Sequence, residues 1–124
     1  MENDTMKYDQ NEFAKSIYEG IVVDNLGEYQ STFNSNVEDS YIDYWKNAIN
    51  LFSSLDEEEK RVFFSILKTT IIDTISNVFG VLDGSVALQA SNFDFNVKIN
   101  NEDVTGELQD AFLAYIEDNN GYDL

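Results

Sequence analysis

The chain has 124 residues, 24 acids against 7 bases for a formal charge of −17, 43% hydrophobic and 14% aromatic residues, and neither cysteine nor histidine. That length suffices for one domain with a core of its own, and the large apolar content excludes a disordered chain. The missing residue types exclude disulfides, thiolate metal sites, cysteine nucleophiles and the commonest general base and zinc ligand, and a field of this sign repels nucleic acid and anionic lipid.

The charge is uneven: residues 1–40 carry −7, residues 41–84 carry −3 and residues 85–124 carry −7. The opening from Met1 to about Asn11 is polar and acidic and lacks the basic then apolar succession of a secretory signal, so a cytoplasmic chain with frayed termini is expected. Phe13, Ile17, Ile21 and Leu26, with Ala14, Tyr18 and Val22 beside them, give a helical stripe over about 11–28. Gly20 and Gly27 disfavour a helix interior, and a bend or an end is expected near Gly27. The polar tract Gln30 to Asn36 then reads as a connection.

Asn36, Glu38 and Asp39 suit a helix start, and Tyr41, Tyr44, Trp45, Ala48, Ile49 and Phe52 continue it as an amphipathic face over about 37–53. Tyr41, Tyr44 and Trp45 suit either the core or a binding surface, because such side chains combine area with a polar tip.

The helix over about 57–82 is the one around which the chain is organised. Asp56 with Glu59, or Ser54 with Glu57, can form its capping box, which explains the acidic run there. Phe64, Leu67, Ile71, Ile75, Val78 and Leu82 form its main stripe, widened by Phe63, Ile66, Ile72 and Phe79. Ser65, Lys68, Thr69, Thr70 and Asp73 interrupt it short of a membrane span. Ser65, Thr69, Asp73, Ser76, Asn77 and Gly80 make a polar stripe, in which Asp73 is a possible buried polar site, an acid, base or ligand, or else simply the solvent side. Gly84, or earlier Gly80, closes the helix.

Beyond Gly84 the period changes to two. Val86, Leu88 and Ala90, then Phe93, Phe95, Val97 and Ile99, predict a hairpin over about 85–99 turning at Ser91-Asn92 and packed on the central helix. Asn100 to Asp103 reads as a turn, with Val104 a short strand extension. Thr105 caps a last helix over about 106–118 that carries Leu108, Ala111, Phe112, Tyr115 and Ile116, and the tail from Asp118 is expected to fray. The fold class is therefore α+β in one domain.

Chemistry-bearing motifs are absent. Glycine placement fits neither an EF-hand nor a phosphate loop, and with so many acids no single carboxylate pair is informative. No catalytic residue, cofactor or metal is expected. The leading expectation is a non-enzymatic, acidic inhibitor that binds a basic, nucleic-acid-processing protein stoichiometrically, as immunity proteins against nuclease toxins or phage-encoded inhibitors do, hence a bacterial or phage protein. Its contacts are expected at Glu28, Glu38, Asp39, Asp43, Glu102 and Asp103, with Tyr41 as an aromatic anchor. Direct nucleic-acid or membrane contact is not expected, and the oligomeric state is left open. The alternatives are a scaffold domain that uses an apolar patch, and a small-ligand binder or enzyme that uses Asp73.

Overall fold

The computed structural model describes residues 9–38, 41–89 and 93–124. Three consecutive stretches run on without a break: α1 (Gln10–Ile17), a π-helical segment (Tyr18–Val23) and α2 (Asp24–Phe33). They are followed by α3 (Asp43–Ser53), α4 (Glu57–Asp83), the antiparallel pair β1 (Lys98–Ile99) and β2 (Glu102–Asp103), and α5 (Leu108–Asp118). This is an α+β architecture, mostly helical, organised around α4.

Both ends of α4 follow from local chemistry. The Asp56 carboxylate accepts from Glu59 N at 2.8 Å while Glu59 accepts from Asp56 N at 2.9 Å, the reciprocal capping box. At the other end Gly84 takes φ +84°, and the Ser85 and Val86 amides return to the Gly80 carbonyl at 2.9 and 3.0 Å. By length and composition alone α4 could cross a membrane, with a mean hydropathy of 1.3 in its most apolar stretch. Here its sides meet other helices. Phe64, in its first half, packs with Leu26, Phe33 and Phe52 from α2 and α3. Ile72 and Phe79, in its second half, pack with Ala14, Val22, Phe112 and Ile116 from the α1 side and α5.

The first helix does not end at Gly27. It runs to Phe33 through the tract read as a connection, because Leu26 and Phe33 are both buried in the aromatic cluster and their burial outweighs a glycine cost of about 1 kcal/mol. Gly20 and Gly27 have no close neighbour that would require glycine. The inward positions Ala14, Tyr18, Val22 and Leu26 are each four apart, which in an α-helix drifts by about 40° per step. The wider π turn across Tyr18–Val23 absorbs that drift and keeps the stripe facing inward.

Other expectations are corrected in detail. α3 begins at Asp43 and not near residue 37, since the apolar period begins only at Tyr41 and Val37, the apolar residue before it, is exposed and adds little burial to offset the cost of ordering the backbone; Asp39 lies outside the described residues. The hairpin sits at 98–103 and not at 85–99. Asn100 and Asn101, at φ 48° and 73°, form its two-residue turn with the left-handed conformations that match strand twist. Lys98 pairs with Asp103 and Ile99 with Glu102, and Val97 and Ile99 pack against the cluster that contains Phe79. The proposed turn at Ser91-Asn92, and Ala90 before it, lie outside the described residues. So does most of the stretch before Asn11, namely residues 1–8.

On α4 the polar stripe is divided. Ser76 and Gly80 are buried and Asp73 and Asn77 are exposed, whereas Ile66 and Val78, placed in the apolar stripe, are exposed. A Cβ on Gly80 would stand 2.5 Å from Val86 Cγ2 and 2.9 Å from Gln109 Nε2, so this glycine permits close packing of the segment after α4 and of α5.

The start of α5 is capped from a distance. Its N-cap residue Glu107 offers no side-chain bond, and Thr105, expected to cap it, instead accepts from Val97 N at 2.8 Å. The Asp83 carboxylate at the end of α4 supplies the acceptors, one oxygen to Leu108 N at 3.1 Å and the other to Gln109 N at 2.7 Å. Gln109 in turn donates to the Ser76 carbonyl at 2.9 Å. Asp83→Ala is expected to lower stability by about 1–2 kcal/mol, the range for losing a helix cap, and Asp83→Asn, which keeps one acceptor, by less. Urea unfolding of the three proteins checks this; coincident midpoints would refute the cap.

The C-terminal tail, expected to fray, is held at three points. Tyr18 Oη donates to the Gly121 carbonyl at 2.9 Å, Lys68 Nζ donates to the Asp123 carbonyl, and Tyr122 Oη donates to Asp73 Oδ1 at 3.3 Å. Gly121 is buried, with Tyr18 and Ile116 closely around it.

Candidate interaction surface

Apolar exposure is concentrated where α2, α3 and α4 meet. The face of α3 that turns inward buries Ile49 and Phe52, while Trp45 lies half-buried with its ring 6.0 Å from that of Phe33 and 6.4 Å from that of Tyr29. Tyr44, one residue earlier, projects outward at 66% exposure and meets the Trp45 ring edge-on at 5.1 Å. Leu51, two turns along, is 61% exposed. The expected aromatic anchor Tyr41 is half-buried. Of the three aromatic residues singled out on this stretch, Tyr44 is the exposed one, a neighbour three positions on from Tyr41 that the same periodicity did not rank above it.

Tyr44 and Leu51 form one wall of an apolar depression of about 340 Å³, with Tyr29, Phe63, Leu67 and Thr70 among its other lining residues. A second depression on α4 is lined by Arg61, Val62, Ser65, Ile66 and Thr69 and shares the lining residue Thr70 with the first. Ile66 is 59% exposed. The aromatic bed beneath is closely packed, with Phe33 4.8 Å from Phe63 and Phe52 5.1 Å from Phe64, ring to ring.

The acids named from the sequence are exposed but not gathered. Glu28 lies on the outer side of α2 beside Asp24, Glu38 precedes α3, and Asp43 opens α3 next to Tyr44. Glu102 and Asp103 stand on β2, away from these. Asp103 is partly committed to local structure. Its carboxylate accepts from Thr105 N at 3.0 Å, and that bond, with the Thr105 hydroxyl and the charge of Lys98, holds it below the ordinary carboxylate range. Among the described residues no group of three or more acids is placed to hold a metal ion.

Asp73, considered as a buried polar site, is exposed. Its visible role is to accept from Tyr122, whose hydroxyl is raised above the usual phenol range by burial, then by the neighbouring Asp73 charge. Sequence reasoning missed Lys68, which is 6% exposed, lies over the Tyr18 ring at 5.4 Å and bonds the tail. The available signal was its position, four residues from both Phe64 and Ile72 on the buried side of α4.

No family model matches the chain, and neither a curated protein nor a solved structure matches it significantly.

Proposed function

We propose that this chain acts by stoichiometric binding to a basic protein, as a non-enzymatic inhibitor that places carboxylates where a nucleic-acid-processing partner would hold phosphates. The observation that carries this reading is the unequal exposure of the two charge signs. Every acid among the described residues is exposed except Asp9 and Asp83, which are half-buried and occupied in capping helices. The bases are fewer and less exposed: Lys68 is internal, Lys46 and Lys60 are half-buried, and of the exposed Lys15, Arg61 and Lys98, Arg61 pairs with Glu58 at 2.5 Å. A surface of this kind accelerates encounter with a cationic partner and rejects DNA, RNA and anionic lipid.

The exposed apolar residues around Tyr44 and Leu51 favour a second reading, a scaffold domain held by an apolar patch. Salt separates the two. The tagged chain is incubated with extract of its native cells, washed at low and then high salt, and the released proteins are identified by mass spectrometry. A basic nucleic-acid enzyme, present in equal amount and released by salt, is the expected result. A partner of no particular charge that resists high salt would replace inhibition with the scaffold reading.

A further inference from the structure

We infer that the depression between α2, α3 and α4 is a binding site for a small, uncharged aromatic molecule. α2 supplies Tyr29 and Phe33 to it, α3 supplies Tyr44 and Leu51, and α4 supplies Phe63 and Leu67. Its volume of about 340 Å³ falls inside the ~300–1,000 Å³ range of small-molecule sites, for which the space between packed helices is a recurrent location. The three helices converge here because Phe33, Phe52 and Phe64 hold them on one buried cluster, so the walls are in place before a ligand arrives.

The lining decides the ligand's charge. No described residue that lines this depression is charged, and its polar side-chain groups are hydroxyls, those of Tyr29, Tyr44 and Thr70. Other depressions differ: Asp24 and Glu28 line the one on α2, Arg61 the one on α4, and Asp94 the one beyond the end of α4. An ionic group brought between these rings would lose water without gaining a counter-charge, and an anion would also meet the field of a chain at −17. None of the acids proposed to contact a basic protein lines the depression, so this inference stands independently of the inhibitor reading.

The rings decide the ligand's shape. Phe33 and Phe63 meet edge-on at 4.8 Å, and Tyr44 stands edge-on to Trp45 at 5.1 Å. A flat ring system extends this array and gains the edge-to-face contact that aromatic pairs add to burial, whereas an aliphatic chain gains burial alone. The Tyr18 and Tyr122 hydroxyls are bonded within the chain. Those of Tyr29 and Tyr44 have no partner among the described residues and are placed to bond a phenol or amide group on the ligand.

The test uses N-phenylnaphthylamine, a neutral dye whose emission rises in apolar surroundings, and anilinonaphthalene sulfonate, which adds an anionic group to the same rings. Trp45, the chain's one tryptophan, has its ring 5.1 Å from that of Tyr44 and 6.4 Å from that of Tyr29, so energy transfer from it to the dye reports occupancy. The neutral dye is expected to bind saturably at one per chain, to quench Trp45, and to bind at least about tenfold more tightly than the sulfonate. Ala48→Phe, which fills the depression from α3, and Leu51→Asp, at a position 61% exposed, should each weaken it by about tenfold or more with circular dichroism unchanged. Ile66→Ala, in the depression lined by Arg61, should leave it unchanged. Absence of saturable binding, equal binding of the two dyes, binding that survives Leu51→Asp, or equal loss in all three variants would overturn the site. So would a dimer that Leu51→Asp dissociates, or a protein captured from cells by the parent and not by this variant, since either would give the depression to a macromolecular surface.

Discussion

Phe52→Ala is expected to lower the unfolding free energy by about 3–5 kcal/mol, the range for removing a fully buried aromatic ring. Phe52 is 1% exposed, and its ring lies 5.4 Å from Phe33, 5.2 Å from Phe63 and 5.1 Å from Phe64, so three helices lose their common contact together. Lys60 Nζ also covers this ring at 5.3 Å. The resulting cavity would not close easily, because three of the neighbours are aromatic rings held on helices. Since α4 passes through both buried clusters, the variant and the parent should each unfold in one transition. Urea denaturation followed by far-ultraviolet circular dichroism and by Trp45 fluorescence checks both points. A loss under about 1 kcal/mol, or separate midpoints for the two probes, would contradict the packing described.

Lys68→Ala is the second large effect, at about 2–4 kcal/mol from the lost stem packing and the lost charge-assisted bond. Lys68 crosses from α4 to the Asp123 carbonyl beside the ring of Tyr18, and Tyr18 itself holds the Gly121 carbonyl and lies 5.5 Å from Tyr115. One side chain thus links α4, the π-helical segment and the tail. Lys68→Met keeps most of the stem and should lose less than half as much, which separates packing from the charge-assisted bond. Release of the tail gives a second readout. The Gly121 amide, bonded to the Ile116 carbonyl at 2.8 Å, should exchange its hydrogen faster in Lys68→Ala. Unchanged stability and unchanged exchange would show that the tail is held without this lysine.

The parts of the fold legible in the sequence were those fixed by local chemistry. Asp56 and Glu59 announce the start of α4 and Gly84 its end, because capping needs particular side chains at fixed offsets. The parts that were not legible depended on distant partners. Phe33 extends the first helix past two glycines only because α3 and α4 bury it. The alternation from Phe93 to Ile99 suggested a strand paired upstream. Yet only Val97 and Ile99 reach the core, Phe93 stays 67% exposed, and the asparagine pair after Ile99 turns the chain into its downstream partner.

The candidate surface was legible to a similar degree. Composition showed its charge, and the spacing on α3 brought out Tyr44 along with Tyr41 and Trp45. Which of the three faces outward depended on α3 starting at Asp43 and on Trp45 turning toward Phe33. Lys68 was hidden for the opposite reason. A lysine inside an apolar run reads as an interruption until the tail carbonyl and the Tyr18 ring are brought to it.

The inhibitor reading is tested most directly by adding the purified chain in steps to the purified basic enzyme recovered from low-salt capture and following that enzyme's activity on nucleic acid. Activity falling linearly to a floor at one chain per enzyme, and restored by salt that dissociates the complex but leaves the free enzyme active, is the predicted result. Full activity in the presence of an excess of bound chain would contradict it.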